Sequence, residues 1–290
     1  MGKIKAYIKL ILKVFGEFSR DLPLIHGAAI AYYAILALVP LMYMGFMIFG
    51  SILGDETVKL ILEELIQNQI GISDVESIME MLDGVSFEDG SFALQIAGSV
   101  MVAFSCTAIM NTMRKSINKF YGLERPDLHA RKVLVGNLIF RGLSLVAIIT
   151  VTLFVIMVYF AETFLLSVSD RFFEDVRFMH WIFGEVAQHG LPIFSNVLVL
   201  TFIFKFLHDG VIEWKIAIRG AITTGLLLYI GQLLLKVYLT TYFFASGVGV
   251  AGSILMLLVW VYYSSLIILL GVKFTGAYAK YKGVPVTYRD

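Results

Sequence analysis

From Gly252 to Val272 the chain runs GSILMLLVWVYYSSLIILLGV, 21 residues without a formal charge. As a helix rising 1.5 Å per residue, such a run is about 32 Å long, enough to cross the roughly 30 Å hydrocarbon core of a bilayer. The rest of the chain has the same character. It is 59% hydrophobic and only 16% charged, with mean hydropathy +0.83, where soluble domains carry about 25% charged residues. A globular core of 290 residues could not hide that much apolar surface, so the bilayer is the solvent that fits.

Six runs satisfy the length and apolarity of a spanning helix: 26–54, 91–113, 140–164, 185–206, 217–240 and 250–274. Pro40 falls inside the first and is its candidate hinge, because proline removes a helical donor. The fourth opens on Gln188, His189 and Pro192. Charge partition tests the map. With the N-terminus placed in the cytoplasm, 19 of the 23 basic residues fall on the inner side and 15 of the 22 acidic ones on the outer side. A missed or surplus span would scramble that alternation. The expected fold is therefore all-α, a polytopic integral membrane protein with six transmembrane helices and both termini cytoplasmic.

The flanking segments have their own patterns. Residues 1–25 place Ile4, Tyr7, Ile8, Ile11, Leu12, Phe15 and Phe18 at helical spacing, with Lys5, Lys9 and Lys13 on another face. This predicts an amphipathic helix, either lying on the membrane interface or packed on the base of the protein itself. Lys9 and Lys13 interrupt any signal-peptide core. The outer segment 55–90 holds ten acids and one lysine, yet Leu60, Ile61, Leu65 and Ile66, then Val75, Ile78, Met79 and Leu82, predict two short helices. They would form a lid over an outward cavity or a solvated cap. The inner loop 114–140 is basic, and 275–290 reads as a cytoplasmic tail. The lone Cys106 cannot form an intrachain disulfide.

Several stretches together resemble the YihY/BrkB family of bacterial inner-membrane proteins. AAIAYYAILALVPL (28–41) is similar to its Tyr-Tyr-containing first span ending in Pro. MRKSINKFYG (113–122) resembles its Asn-x-x-Tyr-Gly after the second span. IEWKIAIRGAITTGLLLYIGQLLLKVYLTTYF (212–243) and the opening stretch, with Gly252, Trp260, Tyr262 and Gly271, complete the likeness. Two positions depart from it: Lys273 stands where members commonly carry an acid, and Leu207-His208-Asp209 where they often show Leu-Pro-Asn. The resemblance implies a six-helix inner-membrane protein. Members have been proposed to export envelope components, including lipopolysaccharide precursors, and the family's names refer to serum resistance and historically to a ribonuclease.

The residues themselves argue against the ribonuclease. Metal-assisted RNA hydrolysis needs clustered ligands, and none of His26, His129, His180, His189 and His208 lies in a ligand-spaced motif. There is no Gly-x-Ser-x-Gly elbow, and Gly247-Val-Gly-Val-Ala-Gly252 lacks the Lys-Ser/Thr of a phosphate loop. No enzyme, no cofactor, no metal and no nucleic-acid partner are expected. The positive-inside rule already accounts for the basic loop.

Polar residues within the spans are more telling, because lipid burial of a polar group is costly unless it is paired or wet. Gln95, Ser99, Asn111, Asn196 and Gln232 are candidate cavity-lining residues. Arg114, Lys115, Arg141, Lys205 and Lys273 stand near the inner ends and are candidate contacts for an anionic headgroup. The functional expectation is a transporter or flippase for an anionic amphiphile, of the phospholipid or lipopolysaccharide-precursor class. The alternative is a membrane scaffold or regulator that binds envelope proteins.

Overall fold

The computed structural model describes residues 2–45, 50, 54–65, 92–123, 130–173, 177–238 and 249–288. Apart from one two-stranded pairing, the described elements are helices: α1 (Gly2–Arg20), α2 (Pro23–Gly45), α3 (Asp55–Leu65), α4 (Phe92–Tyr121), α5 (Ala130–Phe173), α6 (Arg177–Glu185), α7 (Leu191–Phe206), α8 (Trp214–Tyr238) and α9 (Gly249–Tyr281). Among the described residues, three helical stretches are long and apolar enough to cross a membrane: Phe178–Phe206, Trp214–Tyr238 and Ile254–Tyr281. Pro23–Ala37 and Leu153–Ser169 are shorter apolar stretches.

Several expected boundaries move. α4 runs through the second expected span to Tyr121, and α5 begins at Ala130, so much of the segment read as an inner loop, 114–140, is helical. Packing explains the extension of α4. Ser116, Ile117, Asn118, Phe120 and Tyr121 are all buried against the bundle while Lys115 and Lys119 face out. α6 continues into α7 through a π-helical turn, Val186–Gly190, so the apolar helical stretch over the expected fourth span begins at Phe178, further back than position 185. α9 likewise passes the expected end of the membrane domain at 274 and stops at Tyr281. α2 runs helically through Pro40. The first helix expected within 55–90 is present as α3, with Val58 and Ile61 buried and Leu60 exposed. The second lies outside the described residues.

α9 is the hub, packing on α8, α2, α4 and α1. Its seam with α8 depends on absent side chains. A methyl at Gly220 would overlap Thr275, and one at Gly271 would overlap Thr224. One at Gly231 would overlap Tyr263. Each threonine returns its hydroxyl to its own helix: Thr224 Oγ1 donates to Gly220 O (2.7 Å) and Thr275 Oγ1 to Gly271 O (2.6 Å). Two Gly-x-x-x-Thr segments therefore meet antiparallel, each threonine seated on the other helix's glycine. Small residues at such spacing let membrane helices approach closely, and the internal bonds leave no polar group facing the contact. Elsewhere, Gly225 faces Val197 of α7, and Ser265 Oγ of α9 donates to Gly27 O of α2 (3.2 Å).

At one end of this bundle lies a core cluster of Leu10, Ile117, Phe120, Tyr121, Phe204, Leu207, Ile212, Leu269, Val272 and Tyr278 among others. The same end carries the pairing of β1 (Gly210–Val211) with β2 (Thr287–Tyr288), antiparallel, with Gly210 opposite Tyr288 and Val211 opposite Thr287.

Candidate functional site

The basic end of the bundle is built from four chain segments: α1, the last turns of α4, the α7–α8 junction and the last turns of α9. α1 presents three faces. Leu10 and Val14 are buried, and Phe18 packs on the core. Ile11, Leu12 and Phe15 are exposed. Lys9 and Lys13 lie on the remaining side, with Lys13 3.7 Å from Glu17. The helix thus packs on the base of the protein, as one reading of its sequence held. It also offers bare apolar surface, as the other required. Leu22, in the left-handed region at φ 56°, turns the chain sharply into α2.

That turn positions Asp21. Lys273 Nζ on α9 donates to Asp21 Oδ2 at 2.7 Å and lies 3.4 Å from Glu17 Oε2. The lysine that stands in place of a familiar acid therefore fastens α1 to α9. Its side chain is only 15% exposed, so these pairs are shielded more than surface pairs would be.

A second constellation joins α4 to the α7–α8 junction. Asp209 Oδ1 accepts Arg114 Nε (2.7 Å) and Arg114 Nη2. Asp209 Oδ2 accepts Asn118 Nδ2 at 2.6 Å, and the Asp209 backbone N–H donates to Asn118 Oδ1 at 2.9 Å. His208 is fixed as one tautomer. The Gly210 N–H donates to Nδ1 (2.9 Å), so Nε2 carries the proton and donates to Phe204 O (2.8 Å). The Tyr121 ring stands edge-on to His208, with centroids 5.0 Å apart. Tyr121 is 4% exposed, and its hydroxyl has no hydrogen-bond partner among the described residues. Burial pushes that hydroxyl's pKa up, so it stays protonated.

Between α1, the end of α4 and the end of α9 lies a cavity of about 420 Å³, within the usual size range of a ligand pocket. Lys9, Lys13, Lys273 and Lys280 line it, against one carboxylate, Glu17. Leu10, Phe120, Tyr121 and Tyr281 supply an apolar wall. Both helices that end here do so in the same way. Gly122 (φ 73°) and Gly283 (φ 77°) take the left-handed conformation. Leu123 N–H then donates to Asn118 O, and Val284 N–H to Ala279 O. Only glycine adopts this cheaply, and it stops both helices at this end.

The candidate residues distribute as follows. Lys273 lines the cavity. Arg114 is engaged by Asp209, and Lys205 Nζ donates to Ile212 O and sits 5.3 Å over the Trp214 ring. Lys115 is exposed on α4. Arg141 is on α5, with its side chain outside the described residues, as are those of Gln95 and Ser99 on α4 and of Pro40. Asn111, Asn196 and Gln232 are half-buried on α4, α7 and α8. The structure thus brings together Lys273, Lys9, Lys13 and Lys280. In the sequence Lys9 and Lys13 read as the basic face of the amphipathic helix, and Lys280 only as a topology charge. Lys205 belongs to an aromatic girdle, in which Phe206 and Trp214 pack edge to face (5.6 Å) and Phe202 stacks on Phe206 (5.8 Å).

A further polar cluster lies at the far end, where the π turn sets His189 Nε2 3.7 Å from Glu185 Oε2 and His189 Nδ1 against the Tyr229 hydroxyl. π turns recur at functional positions in helices.

Long apolar helices carrying a basic, partly enclosed end define an all-α integral membrane protein. The chain belongs to the virulence factor BrkB family, whose sequence model matches residues 14–288. Its relatives include a UPF0761 membrane protein of Psychromonas ingrahamii, 21% identical over 95% of this chain and 89% of that one. Others come from Stenotrophomonas maltophilia K279a (23% identical, 91% of this chain, 59% of that one) and Alkalilimnicola ehrlichii (23%, 96% and 60%). The chain spans about three-fifths of the length of these last two. No solved structure matches the chain.

Proposed function

We propose that this protein moves an anionic amphiphile, of the phospholipid or lipopolysaccharide-precursor class, across or between leaflets of a bacterial inner membrane, without an enzymatic step of its own. The observation that carries the reading is the cavity: four lysines on two helices, faced by a single glutamate and backed by an apolar wall. Charge-assisted contacts suit a headgroup, and the apolar wall suits the carbons attached to it. The exposed apolar face of α1 keeps this end at the membrane surface, where an anionic lipid would be met. In this reading the chain crosses six times, residues 26–274 form the transmembrane domain, and residues 1–25 and 275–290 face the cytoplasm.

The test is reconstitution. Proteoliposomes carrying the full chain should translocate a fluorescent anionic phospholipid faster than protein-free vesicles. Replacing Lys9, Lys13, Lys273 and Lys280 together by Gln should return the rate to background. Equal rates with the altered protein would sink the proposal. A stable co-purifying envelope protein with no lipid movement would favour the scaffold instead.

A further inference from the structure

The charges around the cavity are unevenly matched, and the mismatch identifies the ligand group. Lys273 faces two carboxylates, Asp21 and Glu17, and Glu17 also stands 3.7 Å from Lys13. Lys9 and Lys280 line the same cavity and make no ion pair among the described residues. The four lysines and two acids therefore leave two positive charges in excess, and the two unmatched ones come from two different helices, α1 and α9. A phosphodiester brings one negative charge. A phosphomonoester brings between 1.5 and 2 at neutral pH, with three acceptor oxygens that can be shared between two walls.

We infer that the cavity is a phosphomonoester site, in which Lys9 and Lys280 close on a terminal phosphate from α1 and α9 and Glu17 competes with that phosphate for Lys13 and Lys273. The inference rests on the reading of the cavity as an anion site and sharpens it to one headgroup class. Glu17 then has a defined part. It holds the lysines in place when the site is empty, and it weakens every anion that enters. A lipid headgroup and a small soluble phosphomonoester present the same terminal phosphate, and the recognition chemistry is the same.

The experiment uses the full chain at pH 7.5. Glycerol 3-phosphate is titrated calorimetrically into the detergent-solubilised protein. In parallel, nanodiscs containing phosphatidate, phosphatidylglycerol or phosphatidylcholine are compared for lipid retained on the protein by native mass spectrometry. Phosphatidate should be retained at least about tenfold over phosphatidylglycerol, and the Lys9→Gln/Lys280→Gln variant should lose about tenfold or more of that binding. Glu17→Gln should tighten it several-fold. Retention of phosphatidate without glycerol 3-phosphate binding assigns the phosphate to a lipid, whereas glycerol 3-phosphate binding assigns it to a soluble ester; either supports the site. Equal retention of phosphatidate and phosphatidylglycerol, still dependent on the lysines, overturns the monoester assignment and leaves the broader anion reading standing. Binding indifferent to both lysines overturns the site itself.

Discussion

Thr224 and Gly271 occupy one another's space: a methyl group at Gly271 would overlap the Thr224 hydroxyl and come 2.7 Å from Thr224 Cβ. The reverse pair, Thr275 over Gly220, repeats the arrangement one turn away. Because the two helices run antiparallel, the segments are related by a local twofold axis, and neither threonine can move without meeting the other helix's backbone.

Gly271→Ala should therefore cost about 1–3 kcal/mol through overpacking. The effect is read as a lower melting temperature of the purified protein in detergent. Thr224→Ala added to it should recover part of the loss but not all, since Cβ of residue 224 remains. Full tolerance of Gly271→Ala would show that the seam is looser than the geometry states.

Asp209→Ala should be among the more damaging single changes at the basic end. It withdraws the carboxylate that accepts from both Arg114 and Asn118. Leaving a partly buried guanidinium without that acceptor costs about 3 kcal/mol. The Arg114→Met/Asp209→Ala pair should be less harmful than Asp209→Ala alone, and a thermal-stability double-mutant cycle measures the difference.

Tyr121→Phe should be neutral or stabilising by up to about 1 kcal/mol. The hydroxyl is sealed from water and has no hydrogen-bond partner among the described residues, so its removal relieves an unmet desolvation cost. A clear loss of stability would mean the hydroxyl is satisfied in the folded protein.

Lys273→Ala should loosen α1. Val14 is buried at 2% exposure and Cys106 at 0%, so a Val14→Cys protein reports on α1 against a quiet background. Maleimide labelling at position 14 should be slow in that protein and faster by at least several-fold when Lys273 is also replaced. Unchanged labelling would show that Leu10 and Val14 hold the helix without the ion pairs.

Periodicity and composition made the helices, the membrane class and the amphipathic N-terminus legible in the sequence. What the sequence could not show was which helices meet. Arg114 and Asp209 are 95 residues apart, and nothing in their neighbourhoods announces that they pair. His208-Asp209 stood out only as a departure from a familiar pattern. Lys273 read chiefly as the end of an apolar run. Its partners Glu17 and Asp21 lie some 250 residues earlier, reached only through the sharp turn at Leu22. The cavity lysines were hidden for a related reason. A positive-inside count needs only their side of the membrane and is blind to convergence.

The short pairing of Gly210–Val211 with Thr287–Tyr288 has a mechanical consequence. It ties the corner between α7 and α8 to the exit of α9, closing three consecutive helices into one stiff body at their shared end. The glycine–threonine seam stiffens the same body along its length. The Arg114–Asp209 and Asn118–Asp209 contacts fasten α4 to that same body at its tied corner.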